Sequence, residues 1–173
     1  NQLMGLNVDQ LGALTTTQIR QMSTSQLTAL DAGKLNVLSS DQITALTTDQ
    51  LPVLTLAQVQ ALTTTQVQAL QTAQVEVMTS AQVGALSTAQ VQALETSDVV
   101  ALSSQQIRGM TTAQVAALSV DQVKALSTAQ VAGLTTTQVG ALISDQLATL
   151  STAQTRAFSA SRTTPFWAGE KVA

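Results

Sequence analysis

The sequence repeats itself every eight residues, and this period restricts the possible folds more than any other feature. Written from its large apolar residue, the unit is L-[ST]-[ST]-[ATD]-Q-[VIL]-x-A, and the large apolar position recurs without insertion or deletion from Leu6 to Phe158. Eight residues turn an α-helix by about 800°, so the apolar stripe of one long helix would slip by about 80° per repeat. The period also does not match the spacings near 3.5 or 3.67 residues that coiled coils require. Each octad must therefore return the chain to register, which predicts a solenoid.

The polar residues that follow each Leu favour helical octads. A Ser or Thr three residues before Gln, as from Thr63 to Gln66, is a capping box. In this motif the hydroxyl accepts a backbone N–H, and the Gln side chain accepts the N–H of the cap residue. Val67 and Leu70, three residues apart, then share one face of a short helix. The cap position has three exceptions, Gln71, Glu95 and Ile143. The sequence predicts an all-α, tight solenoid with one very short, capped helix per octad.

A β-solenoid is the alternative, because Thr, Val and Gln all suit strands and rows of Gln suit stacked β coils. Two features argue against it. The apolar positions do not alternate with period two, and the octads lack the Gly, Asn or Asp that tight β corners need. Pro52 argues the other way, because it falls inside a predicted helix and removes a hydrogen bond there.

We expect two octads in each coil of the solenoid, with three as the other possibility. Neighbouring helices pack about 8–10 Å apart, so two octads per coil would give a rod about 80–100 Å long.

The two ends of the chain differ from its middle. Residues 1–158 are predicted to form the solenoid, and residues 159–173 an irregular C-terminal tail. The aromatic residues all lie at this end of the chain, and they are Phe158, Phe166 and Trp167. They either cap the last coil or dock onto another subunit; a third interpretation is that the chain is a piece of a longer array.

The start of the chain offers a surface for such docking. Its apolar residues continue the octad pattern without the polar capping repeat that solenoids usually need, and they are Leu3, Met4 and Leu6. We expect these residues to meet the aromatic end of the next subunit. A head-to-tail contact that does not close generates an open filament, so the expected partner is a second copy of this chain.

The regular spacing of Gln has a local and a collective interpretation. Locally, each Gln completes a capping box; collectively, each amide donates to the next coil, which forms an inter-repeat ladder. The predicted ladder residues are Gln66, Gln74, Gln82, Gln90, Gln114 and Gln130. Lys34 and Asp98 stand at the same position and interrupt the row.

The composition excludes several kinds of site. The chain has no Cys and no His, which excludes thiol chemistry, disulfides and the usual zinc sites. Seven Lys plus Arg against ten Asp plus Glu argue against a nucleic-acid-binding surface. The sequence contains no run of 18 apolar residues, so it predicts no membrane-spanning helix. The many Ser and Thr residues have no His or Cys to activate them, so we predict no enzymatic activity, no metal and no cofactor.

The pattern L-[ST]-T-A-Q-V-x-A-L, which covers residues 2 to about 158, resembles repeats in large bacterial surface and secreted proteins of the hemagglutinin-like or adhesin-like kind. The resemblance implies an extracellular or cell-surface location and a structural or adhesive role, with contacts to surfaces or cells. We therefore expect a filament subunit that supports biofilm, aggregation or adhesion. The alternatives are a passive spacer in a larger adhesin and an ice-binding array of Ser and Thr.

Overall fold

The computed structural model describes residues 7–160, which form short helices joined by sharp corners. Within these residues there is no strand. The predicted all-α solenoid is confirmed, and the β-solenoid is wrong for this part of the chain, because the residues after each cap residue form a helix. Most helices contain five or six residues, and the last one contains nine.

Helices three octads apart stack on one another, so the coil contains three helices and the solenoid has three columns. The glycine column, named for the glycines on its helices, consists of α1 (Val8–Gly12), α4 (Ala32–Leu35), α6 (Leu56–Ala61), α9 (Ser80–Ala85), α12 (Ser104–Gly109), α15 (Thr128–Gly133) and α18 (Thr152–Ala160). The threonine column consists of α2 (Thr16–Arg20), α5 (Ser40–Thr44), α7 (Thr64–Gln68), α10 (Thr88–Ala93), α13 (Thr112–Ala117) and α16 (Thr136–Gly140). The acidic column consists of α3 (Thr24–Thr28), the 3-10 helix Leu51–Val53, α8 (Thr72–Glu76), α11 (Thr96–Ala101), α14 (Val120–Ala125) and α17 (Ser144–Ala148).

The expectation of two octads per coil is therefore wrong. Each octad contributes two aliphatic side chains to the interior, as Val67 (0% exposed) and Leu70 (5% exposed) do. Three octads thus supply six such side chains per coil, enough to fill the triangular space between three helices. At a helix spacing of about 8–10 Å, the octads up to Phe158 make a rod about 50–60 Å long.

The corners between helices are made by two successive extended residues. Leu86 has φ −59° and ψ 141°, and Ser87, which follows it, has φ −68° and ψ 161°. No residue between 7 and 160 has a positive φ. Because extended φ/ψ values are open to every L-residue, the turns need no Gly, and the lack of Gly at the corners is compatible with a helical solenoid.

Pro52 changes one octad of the acidic column. It lies in the 3-10 helix Leu51–Val53, whose end is closed by the bond from the Leu54 N–H to the Leu51 carbonyl (3.2 Å). The missing N–H of proline prevents a regular α-helical turn at this position, and the octad shortens its helix while it keeps the register.

Neighbouring helices of the glycine column approach each other closely at three glycines. A Cβ on Gly84 would lie 2.5 Å from the Gly109 carbonyl oxygen, and one on Gly109 would lie 2.7 Å from the Ser80 carbonyl oxygen. Gly133 is similarly close to Ser104. Only glycine allows these helices to approach so closely, whatever its backbone conformation.

Candidate functional site

The predicted capping boxes are present along the solenoid. In α7 the Thr63 hydroxyl accepts the Gln66 N–H (3.1 Å), and the Gln66 Oε1 accepts the Thr63 N–H (2.8 Å). Two of the three exceptional cap residues keep half of the motif. The N–H groups of Gln71 and Ile143 still donate to the Oε1 of the glutamine three residues later.

The Nε2 group of each buried glutamine makes a second set of hydrogen bonds. Gln66 donates from Nε2 to the main-chain carbonyls of Leu35 (2.9 Å) and Leu38 (2.7 Å), at the corner four octads earlier. We call the set of main-chain carbonyls that accept from one glutamine Nε2 a carbonyl slot; for Gln66 they are those of Leu35 and Leu38. The predicted ladder residues that donate into such slots are Gln66, Gln74, Gln82, Gln90, Gln114 and Gln130. The bonds run from amide to main chain and not from amide to amide.

One glutamine side chain thereby joins two coils. Gln82 is 1% exposed, its Oε1 accepts the Thr79 N–H (2.8 Å), and its Nε2 donates to the carbonyls of Leu51, Pro52 and Leu54 (2.9–3.2 Å). Gln is suited to this position because its amide carries both an acceptor and two donors. A buried carbonyl without a donor would cost about 1–3 kcal/mol. The slots therefore contribute directly to the stacking of coils.

The first coil of the described range lacks this second set of bonds. The Oε1 atoms of Gln10, Gln18 and Gln26 accept cap N–H groups, but within residues 7–160 their Nε2 groups have no acceptor. Gln10 and Gln18 are exposed, and Gln26 is half-buried. This end of the described solenoid presents three amide donors, one from each column.

The opposite end presents matching acceptors. Carbonyls at the ends of three successive octads receive no hydrogen bond from any residue between 7 and 160, and they belong to Leu134, Leu142 and Leu150. In the middle of the rod the corresponding carbonyls, such as that of Leu126, accept a glutamine amide (2.6 Å from the Gln154 Nε2). The two ends therefore have complementary sets of donors and acceptors.

The structure brings few of the proposed subunit-contact residues together. Phe158 is 8% exposed and belongs to the hydrophobic core, so it packs inside its own subunit and offers little surface to a second one. The other proposed contact residues lie outside residues 7–160, and they are Leu3, Met4, Leu6, Phe166 and Trp167.

The acidic and threonine columns present different surfaces. Exposed carboxylates follow one another along the acidic column, at Asp49, Glu76, Glu95, Asp121 and Asp145. From α7 to α16 the threonine column carries no charged residue. Its cap hydroxyls, such as that of Thr111, accept backbone N–H groups. The residue after each cap is an exposed threonine, which gives a row of Thr64, Thr88, Thr112 and Thr136.

Asp98 is the one acidic side chain that is buried in the described part of the chain. It occupies the glutamine position of α11 and is 1% exposed. Its Oδ1 accepts the Thr72 hydroxyl (2.9 Å), while its buried Oδ2 has no hydrogen-bond partner. Burial raises the pKa of Asp98, and the bond from Thr72 partly opposes the rise. The sequence showed this position only as a departure from Gln; its burial depends on the coil above and the coil below.

Two further properties of residues 7–160 concern groups of His, Cys, Asp and Glu side chains and membrane-spanning helices. No three His, Cys, Asp or Glu side chains there are grouped closely enough to hold a metal ion. No helix in the same range is long and apolar enough to cross a membrane.

Comparison with known proteins matches the chain to one family model. The model described as ALTTAQ repeat matches residues 20–56, 59–96, 91–128 and 123–152, which together are more than half of the chain. No curated protein matches the chain. No solved structure matches it either.

Proposed function

The chain belongs to the ALTTAQ repeat family, and we propose that it is the subunit of an extracellular filament in which solenoids stack end to end. The observation that supports this most directly is the complementarity of the two ends. Three unpaired Nε2 donors lie at one end of the described solenoid and three unpaired carbonyls at the other, both spaced by eight residues.

The spacing allows the donors and acceptors to pair in order. In the later coils each buried glutamine donates to the carbonyl of the Leu or Met 28 residues earlier, as Gln154 does to Leu126 and Gln106 to Met78. If the first described octad of one copy follows the last octad of another, Gln10, Gln18 and Gln26 meet the carbonyls of Leu134, Leu142 and Leu150 in order. The contact uses different surfaces on the two copies and repeats the relation between successive coils, so it continues as an open filament.

Location and biological role are further parts of the proposal. The resemblance of the octad to repeats of bacterial surface proteins supports an extracellular or cell-surface location, where such filaments would promote aggregation, adhesion or biofilm. The absence of Cys and the small number of Lys and Arg residues are compatible with that location. Detection of the protein on intact cells with an antibody tests this part separately from assembly.

Electron microscopy of the purified chain at neutral pH, with helical averaging, tests the assembly. We expect fibres with an axial repeat of about 50–60 Å or slightly more, one solenoid per repeat. Alanine at Gln10, Gln18 and Gln26 removes the donors and should raise the concentration needed for assembly at least about tenfold, since each hydrogen bond contributes about 1 kcal/mol.

A matched control variant also replaces three glutamines by alanine. The side chains of Gln60, Gln92 and Gln105 are exposed and make no slot hydrogen bond, so alanine at these three positions, which keeps the main-chain carbonyls, should leave assembly unchanged. Trp167→Ala should shorten the fibres if the C-terminal residues also contribute. Discrete short rods at every concentration would contradict the filament and favour a passive spacer within a longer adhesin.

The exposed threonine row favours ice binding as a second candidate function. Thr64, Thr88, Thr112 and Thr136 lie one per coil on an uncharged face, and such an array presents regularly spaced methyl and hydroxyl groups to water. Thermal hysteresis of the wild-type chain tests the idea. Lysine at Thr88 and Thr112 should abolish the effect, whereas lysine at Thr48 and Thr96, exposed residues of the acidic column, should not. No hysteresis in the wild-type chain would reject this function.

A further inference from the structure

The carbonyl slot brings several main-chain oxygens close to one nitrogen. Gln90 places its Nε2 at 3.1, 3.4 and 2.6 Å from the carbonyl oxygens of Val59, Gln60 and Leu62. Gln106 does the same with the carbonyls of Val75, Glu76 and Met78, at 3.0, 3.3 and 2.7 Å. In both cases the carbonyl oxygens surround a group that carries hydrogens and a partial positive charge.

The octad between these two glutamines has no such group. Asp98 stands at the glutamine position, and the corresponding carbonyls are those of Val67, Gln68 and Leu70. No donor from residues 7–160 reaches the Leu70 carbonyl. The carboxylate is one methylene shorter than the glutamine side chain, and when ionised it can only accept hydrogen bonds. The slot of α11 is therefore surrounded by oxygen acceptors.

The Oδ2 atom of Asp98 gives independent evidence for a missing positive partner. It is buried without any hydrogen bond, and only its neighbour Oδ1 is satisfied, by Thr72 (2.9 Å). A buried charge is normally paired or bound to a cation, because desolvation without compensation is costly. Burial is the largest cause of the raised pKa of Asp98; the hydrogen bonds from Thr72 and from the Glu95 backbone lower the pKa, and the negative charge of Glu95 raises it by a smaller amount.

We propose that the slot of α11 binds a monovalent cation of the size of potassium, held by the Asp98 carboxylate and the main-chain carbonyls of Val67, Gln68 and Leu70. The ion would replace the amide nitrogen of the other slots, which lies 2.6–3.4 Å from its carbonyl oxygens in the slots of Gln90 and Gln106. Backbone carbonyls that replace a hydration shell are the ligands of potassium in channels.

Charge and size argue against the common divalent ions. Calcium prefers oxygens at about 2.3–2.6 Å and magnesium at about 2.0–2.1 Å, both shorter than most distances in the equivalent slots. One buried carboxylate neutralises one positive charge, so a divalent ion would keep one positive charge uncompensated. The bound ion would join α8 and α11, neighbours in the acidic column, to the preceding corner, and would make the stability of the middle of the rod depend on potassium.

Thermal unfolding followed by circular dichroism tests the site in the full chain at neutral pH and constant ionic strength. The unfolding midpoint is compared between a potassium buffer and a reference buffer of N-methylglucamine, a cation too bulky for the slot. Ligand binding to the folded state alone raises the unfolding midpoint, and we expect a rise of about 2–4 °C for the wild type. Asp98→Gln restores the amide; it should have the higher midpoint without potassium and should not respond to it.

A second variant keeps the test decisive. Asp98→Asn has nearly the same shape without the charge, and its midpoint should also be independent of potassium. Equal responses of the wild type and both variants would show a general salt effect and overturn the site. A stronger response of the wild type to sodium or calcium would overturn the assignment of size and charge.

A proton is the competing occupant of the slot. If Asp98 is neutralised by a proton at neutral pH, the wild type will show no response to potassium, which overturns the proposal. If the carboxylate is ionised at neutral pH and holds the ion, the response to potassium should disappear as the pH falls through the raised pKa of Asp98. The variants should show no such pH dependence of the potassium response.

Discussion

The first coil of the described solenoid and the coils in its middle share their sequence pattern and local structure, but their glutamines have different surroundings. Gln18 and Gln82 both accept the N–H of their cap residue at 2.8 Å. Gln82 is also buried and donates to three carbonyls of an earlier coil, whereas Gln18 is exposed and donates to none within residues 7–160. The comparison shows that the same residue has a local role as a cap and a tertiary role as a link between coils.

The first coil and the middle coils should differ most in the loss of unfolding free energy when the glutamine side chain is removed. Gln82→Ala leaves buried carbonyls without a donor and creates a cavity, and should lower the free energy of unfolding by about 2–4 kcal/mol. Gln18→Ala loses two exposed bonds, from the Thr15 N–H and the Thr15 hydroxyl, and should cost about 1 kcal/mol. Urea unfolding followed by circular dichroism measures both. Equal losses would mean that the slot bonds contribute nothing beyond the cap.

The next largest difference in stability is expected between alanine substitutions at closely packed and at unobstructed glycines. Gly109→Ala places a Cβ 2.7 Å from the Ser80 carbonyl oxygen, and overpacking of this kind should destabilise the chain by about 1–3 kcal/mol. A Cβ at Gly12 or Gly140 would meet no neighbouring atom within 4 Å. Alanine there should stabilise by about 0.5–1 kcal/mol, since glycine is the poorer helix former. Thermal midpoints distinguish the two signs, and a stabilising Gly109→Ala would show that the glycine column can relax.

The smallest difference is expected for the cap hydroxyls. Thr111 accepts the Gln114 N–H at 3.1 Å in the middle of the rod, and Thr15 accepts the Gln18 N–H at 3.2 Å in the first coil. Replacement of either threonine by alanine should cost about 1 kcal/mol, because the bond lies within one octad. Hydrogen exchange of the first amides of α2 and α13 reports the local loss. A much larger cost at Thr111 would indicate that its hydroxyl also supports the stacking of coils.

The helical character of the octads could be predicted because its causes lie within eight residues. The capping box from Thr63 to Gln66 is visible in the sequence, and the three-residue spacing of Val67 and Leu70 already defines the buried face. The glutamine position was visible as well. The nature of its partner was not, because the carbonyls that Gln66 contacts belong to Leu35 and Leu38, and that pairing depends on the number of octads per coil.

The sequence by itself determined the register, the position of each cap and the aliphatic interior, because all three follow from contacts between residues of the same or the next octad. The tertiary structure alone decided that three octads make a coil, since the turn angle at corners such as Leu86–Ser87 and the filling of the interior are set together. It also decided which polar groups are buried. Asp98 and Gln18 occupy the same octad position, but within residues 7–160 only Asp98 has a coil on both sides, and burial between coils gives it its raised pKa and its need for a partner.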